Sequence, residues 1–167
     1  MKRASESGHK VSIARIKHRP IRVAGGAKHD MRTQFGALPY RLRDGKVEFL
    51  LITSRGTGRW IIPKGWPMDG KTPGEAAATE AMEEAGALGR ISDQVVGFYA
   101  YSKSLKGDDL PCVVAVFPLK VKKLIKDYPE KAERKRRWVG RKEAQALVDE
   151  PELRRILKDF RPNVARE

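Results

Sequence analysis

The sequence predicts an α+β domain with a layered α/β/α arrangement. Three observations carry that reading: strand-length apolar runs separated by turn residues, one short helix marked at both ends, and two helical stretches near the C-terminus. Antiparallel hairpins beside helices bury their apolar faces most simply by stacking the helices on the faces of one sheet.

Residues 1–33 show little hydrophobic periodicity and contain a Gly25-Gly26 break, which predicts a flexible basic arm. His9, His18 and His29 all lie in it without metal-ligand spacing and read as plain exposed side chains. Phe35 to Arg43 is an extended run leading into Asp44-Gly45, a strong hairpin signal, and Val47 to Ser54 is the returning strand. After the turn Arg55-Gly56-Thr57-Gly58 comes a short strand around Trp60 to Ile62. Val95 to Ser104 and Cys112 to Leu119 predict two more strands, divided by a polar loop holding Lys106-Gly107-Asp108-Asp109. A basic connector with Lys122, Lys123 and Lys126 leads to a short strand at Trp138-Val139, and helices follow at about residues 141–149 and 151–160.

Between these strands lies the segment richest in chemistry, Gly65 to Ala87. Thr72-Pro73-Gly74-Glu75 has the form of a capping box with proline at the first helical position, and Gly86 stands where a helix C-terminal glycine belongs. Glu80, Glu83 and Glu84 then share one helical face, while Ala78, Ala81, Met82 and Ala85 can pack on a core. Like charges so crowded destabilise a helix unless a cation sits among them, and carboxylates at this spacing suit a hard divalent ion such as Mg2+, with Mn2+ as the alternative. A merely solvated acidic face is the competing explanation.

The same segment resembles the Nudix box, Gly-x5-Glu-x7-Arg-Glu-U-x-Glu-Glu-x-Gly-U, where U is a bulky aliphatic residue. Gly65, Glu80, Glu83, Glu84 and Gly86 match it. Lys71 stands where the first glutamate is expected and Thr79 where the arginine is expected, while Ala81 and Ala87 are small for U. The likeness extends over residues 34–160. Arg59-Trp60-Ile61-Ile62-Pro63-Lys64-Gly65 and Arg134-Lys135-Arg136-Arg137-Trp138-Val139 resemble segments of Nudix enzymes acting on diphosphoinositol polyphosphates and dinucleoside polyphosphates. The resemblance implies a Nudix sandwich over residues 34–167, a mixed sheet between helices, and hydrolysis of a phosphoanhydride bond.

That chemistry needs phosphate charge neutralised and water made nucleophilic, which divalent ions supply. The resemblance makes Glu80, Glu83 and Glu84 the catalytic residues and metal ligands, joined by the backbone carbonyl of Lys64. Glu83 is left as either ligand or base. Threonine at 79 cannot make an arginine's forked contacts, so weaker metal binding or a rearranged network is expected. Glu75 could replace the carboxylate missing at 71, although its capping role competes. Some Nudix members add a carboxylate from a distant loop, for which Asp108, Asp109, Glu130 and Glu133 are candidates. Expected substrate contacts are Arg32, Ser54, Arg55, Arg59, Lys64, Arg134 and Lys135; the Ser54 hydroxyl and Arg55 guanidinium could converge on one phosphate. Arg136 and Arg137 alternate across a strand, so one of them should face the site. Trp60 and Trp138 read as core, and Trp66 as core or a surface that stacks on a base.

Composition narrows the alternatives. The chain of 167 residues carries a net +14, and the excess lies at its ends. Residues 1–33 hold nine Lys/Arg against two acids, residues 34–119 ten of each, and residues 120–167 sixteen against nine. Such ends favour polyanionic partners through a field that salt weakens. No apolar run is long enough to span a bilayer, and the N-terminus lacks a secretory signal, so a cytoplasmic protein with no membrane partner is expected. The acid-poor arm also has the character of an organellar transit peptide. Cys112 sits in an apolar run and reads as a buried structural thiol. The expected substrate is a small polyanion, with diphosphoinositol or diadenosine polyphosphate foremost. Two alternatives remain. One is an RNA 5′ pyrophosphohydrolase or decapping enzyme with RNA held on the basic ends, although no aromatic–basic motif accompanies it. The other is a non-catalytic Nudix-fold binding module, which Lys71 and Thr79 motivate. The pattern leaves oligomeric state open.

Overall fold

The structure, a computed structural model, describes residues 32–105 and 108–162. Most of the basic arm and its three histidines therefore lie outside the described residues, as do Lys106 and Gly107. One mixed sheet organises the rest. Strands β1 (Arg32–Arg43) and β2 (Lys46–Thr53) form the expected hairpin, with Tyr40 opposite Phe49 and Arg43 opposite Lys46. Its turn residues Asp44 and Gly45 both have positive φ, 51° and 74°, the signature of a tight turn matched to strand twist.

The next elements are β3 (Trp60–Ile61), β4 (Lys64–Gly65), α1 (Pro73–Ala85), β5 (Ala87–Ile91), β6 (Gly97–Leu105) and β7 (Asp108–Leu124). Then come β8 (Arg136–Gly140), α2 (Arg141–Leu147) and α3 (Pro151–Asp159). The main path through the sheet is β3-β2-β1-β7-β5; β8 extends β2, β6 extends β7, and β4 pairs with β1. The β1–β7 pair is parallel, from Arg32 opposite Cys112 to Tyr40 opposite Lys120. Two expectations change here. Asp108 and Asp109 belong to β7 rather than a loop, and Lys122 and Lys123 lie in the same strand rather than in a connector. Pairing with β5 explains the second change: the ladder Ala87–Leu124 to Ile91–Leu119 holds lysine-bearing residues extended despite their composition.

Each face of the sheet buries its own core, as period-two alternation requires. Phe49 and Leu51 point with Leu38, Tyr40, Val114 and Val116 towards α2 and α3, where Ala144, Leu153, Leu157 and Phe160 meet them. Leu50 and Ile52 point the other way, with Ala37, Ala115 and Phe117, against Ala77, Ala81 and Ala85 of α1. This is the expected α/β/α layering. The buried stripe of α1 differs from the sequence expectation: Ala77 takes the place of Ala78, Met82 is only half-buried, and Glu84 is buried. Alanines let the helix axis approach the sheet closely, which carries Glu84 down to the backbone of β4. Cys112 is fully buried as expected, its thiol facing the Leu110 carbonyl at 3.7 Å.

Candidate functional site

Helix α1 is delivered by the local chemistry that its sequence announces. The Glu75 N–H donates to Thr72 Oγ1 at 3.2 Å, and the Thr72 N–H donates back to Glu75 Oε2 at 3.4 Å. Gly86 closes the helix in the left-handed region at φ 62°. Glu75 is thus committed to the cap and does not replace the carboxylate missing at position 71. Lys71 instead lays its ammonium on Thr79, donating to Oγ1 at 2.7 Å, and that hydroxyl donates to the Glu75 carbonyl at 3.0 Å. The two departures from the box are therefore in direct contact.

Glu80 and Glu84 line an open cleft of about 650 Å³ with Ser54, Arg55, Arg59, Lys64, Gly65, Glu130 and Arg134. Its far wall is Gln34, Tyr101, Ser102, Lys103 and Ser104, and Trp66 stands at the rim, 39% exposed. The Lys64 N–H donates to Glu84 Oε2 at 3.2 Å, while Arg134 Nη2 lies 3.5 Å from Glu84 Oε1. The Glu80 carboxyl rests where any side chain at Gly65 would stand. Burial, followed by the negative charge of Glu84 and Glu83, pushes the Glu80 carboxyl up to about 7. Burial pushes Glu84 up to about 7 as well, against the lowering pull of Arg134 and Lys64. Lys64 moves the other way: burial lowers its ammonium, Glu84 partly restores it, and Nζ sits 4.6 Å from the Tyr101 ring centre.

The expected substrate residues divide. Ser54, Arg55, Arg59, Lys64 and Arg134 reach the cleft; Arg32 and Lys135 do not. Arg32 is exposed at the start of β1, and Lys135 is exposed with its backbone N–H on Thr53 Oγ1. Glu83 also lies outside the cleft lining, on the neighbouring part of the helix surface. Neither Arg136 nor Arg137 faces the cleft. Arg136 Nη1 donates to the Ala85 and Ile125 carbonyls, both at 2.9 Å, and Arg137 pairs with Glu143. Of the candidate carboxylates Asp109, Glu130 and Glu133, Glu130 lines the cleft, where it pairs with Arg134 at 3.1 Å and Arg55 at 3.6 Å. Trp60 and Trp138 pack on the cores as expected. Sequence reasoning missed the β6 wall and the Arg59–Glu150 pair (2.9 Å), because both depend on pairing between elements distant in the chain.

The donor chemistry suits a hard cation. Two crowded carboxylates that hold protons near neutrality, where carboxylates are ordinarily ionised, would exchange those protons for a divalent ion. Among the described residues, however, no three carboxylate, imidazole or thiol side chains already converge on one point. A third oxygen has to come from backbone, substrate or water.

Comparison with known proteins gives the same picture. The NUDIX domain model matches residues 32–160. Nudix hydrolase 12, mitochondrial, of Arabidopsis thaliana is 33% identical over 149 residues, covering 79% of this chain and 73% of its own. Diphosphoinositol polyphosphate phosphohydrolase 2 of Rattus norvegicus is 26% identical over 125 residues, covering 74% of this chain and 66% of its own. Among solved structures, a binary complex of the C. elegans Ap4A hydrolase superposes with a TM-score of 0.57 at 24% identity, over 76% of this chain and 93% of that one. That last likeness speaks for the fold.

Proposed function

Because the chain belongs to the Nudix hydrolase family, we propose that it is a metal-dependent pyrophosphohydrolase cleaving a phosphoanhydride bond in a densely charged small molecule. The observation that carries this reading is the cleft itself, in which Glu80 and Glu84 face Arg55, Arg59, Lys64 and Lys103. The cations of the cleft bind and orient the phosphates, and its carboxylates provide ligands and proton acceptors. Glu80, Glu84 and the Lys64 backbone are the groups that would hold Mg2+ or Mn2+. The ion would supply charge neutralisation on the phosphates and acidify bound water.

In the reaction, water adds to phosphorus, the bridging P–O bond breaks, and the proton that water loses passes to a carboxylate of the cleft. Diphosphoinositol polyphosphates are the favoured substrates, since each added phosphate can recruit another cation of the cleft. The relation to the rat phosphohydrolase supports that choice. Diadenosine polyphosphates are the second reading, favoured by Trp66 at the rim as a stacking surface for a base. Lys103 already stands over that ring at 5.1 Å, which weakens it.

The test is phosphate release with Mg2+ and then Mn2+ across diphosphoinositol polyphosphates, diadenosine polyphosphates, nucleotide sugars and triphosphorylated RNA. The expected result is turnover concentrated on the first class and abolished by Glu84→Gln. Turnover of RNA alone would move the assignment to 5′ end processing. No turnover anywhere, with Glu84→Gln binding ligands as the wild type does, would leave a binding module.

A further inference from the structure

Helix α1 contains no lysine or arginine between Pro73 and Ala85, so its glutamates have no cation on their own element. Thr79 occupies the position at which the box pattern has an arginine, and its hydroxyl is turned towards Lys71 and the Glu75 carbonyl. The guanidinium that meets the glutamates comes from the segment between β7 and β8. It is Arg134, whose side chain is only 7% exposed.

Three of the five N–H donors of that guanidinium are already spent on protein. Nε and Nη2 donate to Glu130 Oε1 at 3.2 and 3.1 Å, and Nη1 donates to the Thr53 carbonyl at 3.1 Å. Nη2 also lies 3.5 Å from Glu84 Oε1. Five donors in a rigid plane hold these three partners in one fixed geometry, whereas an ammonium's three donors on a flexible stem have no such planar fork. The three partners belong to different parts of the fold: Thr53 ends β2, Glu84 lies on α1, and Glu130 is docked on the last turn of α1 by its N–H to the Glu83 carbonyl at 3.0 Å. The Glu84 carboxylate is consequently held on both sides, by the Lys64 N–H at one oxygen and by Arg134 at the other.

We propose that Arg134 is a positioning residue for Glu84, supplying from a distant element the orienting cation that α1 lacks. It lines the cleft, yet each of its three nitrogens already donates to a carboxylate or a carbonyl of the protein. The assignment rests on the hydrolase reading above.

Arg134→Lys and Arg134→Met test it by two readouts. The first is Mn2+ binding to the substrate-free protein, followed by electron paramagnetic resonance. The second is steady-state turnover of a diphosphoinositol polyphosphate with Mg2+. Arg134→Lys keeps the charge and is the variant that carries the test if Arg134→Met does not fold. Removing a group that orients a metal ligand typically costs 10–100-fold, so Mn2+ affinity should fall at least about tenfold. With Arg134→Lys, kcat should fall in step and KM should change less than about twofold. Mn2+ affinity within twofold of wild type would overturn the proposal, and a tenfold rise in KM at unchanged Mn2+ affinity would make Arg134 a substrate contact instead. Wild-type protein that binds no Mn2+ and turns nothing over would overturn both this assignment and the hydrolase reading.

Discussion

Replacing Gly65 by alanine adds one methyl group at the point where the backbone of β4 passes the Glu80 carboxyl. A Cβ there would stand 2.1 Å from Glu80 Oε1, 2.2 Å from Cδ and 2.8 Å from Oε2. Ordinary contact begins near 3.4 Å, so the nearest oxygen has to retreat by about 1.3 Å. The obstacle is the far end of a flexible, half-buried side chain, and Gly65 is not among the residues with positive φ. The fold can therefore accept the methyl group by swinging Glu80 aside, at little cost in stability. Function cannot, because a misplacement of about 1 Å in a catalytic group lowers rates on the order of a hundredfold.

Gly65→Ala is accordingly expected to unfold within a few degrees of wild type and to lose about two orders of magnitude in kcat/KM. Gly97→Ala is the matching control: its Cβ meets Ile156 at 2.7 Å, in the core on the other face. It should lower the unfolding temperature and leave kcat nearly unchanged. The assays are thermal unfolding by circular dichroism and phosphate release under saturating metal. Full activity in Gly65→Ala would refute the placement of Glu80 at the reacting centre. Loss of the fold instead would show that the backbone, and not the Glu80 side chain, fills that space.

The raised carboxyls predict a pH dependence for the metal-free protein. Glu80 and Glu84 bind protons in the fold up to about 7 but near 4.5 when unfolded, so their contribution to stability is complete below pH 4.5 and disappears as pH rises through 7. Wild type should thus lose stability relative to Glu84→Gln between pH 5 and 7.5, read from thermal unfolding of both; parallel curves would count against the shifts. At the start of α1, Thr72→Ala removes the acceptor for the Glu75 N–H and should cost about 1 kcal/mol in chemical denaturation, with Thr72→Ser recovering most of it.

How much of this was legible depended on the range of the interactions involved. The Asp44-Gly45 hairpin and the α1 caps are local, since each is set by residues within four positions of one another, and the sequence reading placed both correctly. Helical spacing placed Glu80, Glu83 and Glu84 on one face, and the box resemblance gave them their expected roles. The cleft is lined by Glu80 and Glu84 and not by Glu83. Strand β5 was not legible: Ala87–Ile91 carries a glycine and an arginine, and is held extended by its ladder with β7. The cleft wall from β6 was hidden for the same reason. Arg32 and Lys135 show the other limit: their charge and neighbourhood suggest phosphate contacts, yet both are exposed and neither lines the cleft, since composition does not encode direction.

Charge bookkeeping by segment also conceals which cation matters most. The excess lies towards the chain ends, whereas Arg55, Arg59, Lys64 and Lys103 of the cleft come from the electrically neutral centre. Arg55 is already paired with Glu130 and Glu133, and Arg59 with Glu150 and Asp149, so a phosphate must compete with carboxylates for both. Among the described residues no carboxylate comes within 4.0 Å of the Lys64 ammonium, which is nonetheless buried against Tyr101 and depressed by desolvation. Desolvation disfavours that charge, and an anion that reaches it offsets the cost without displacing a salt bridge. If the chain hydrolyses a phosphoanhydride as proposed, Lys64 is the cation at which an entering phosphate should gain most, and it stands one position before Gly65, against which the Glu80 carboxyl rests. Lys64 and the Glu80 carboxyl thus meet at one short stretch of backbone, which is why a loop–helix segment could announce the chemistry while the rest of the cleft stayed hidden.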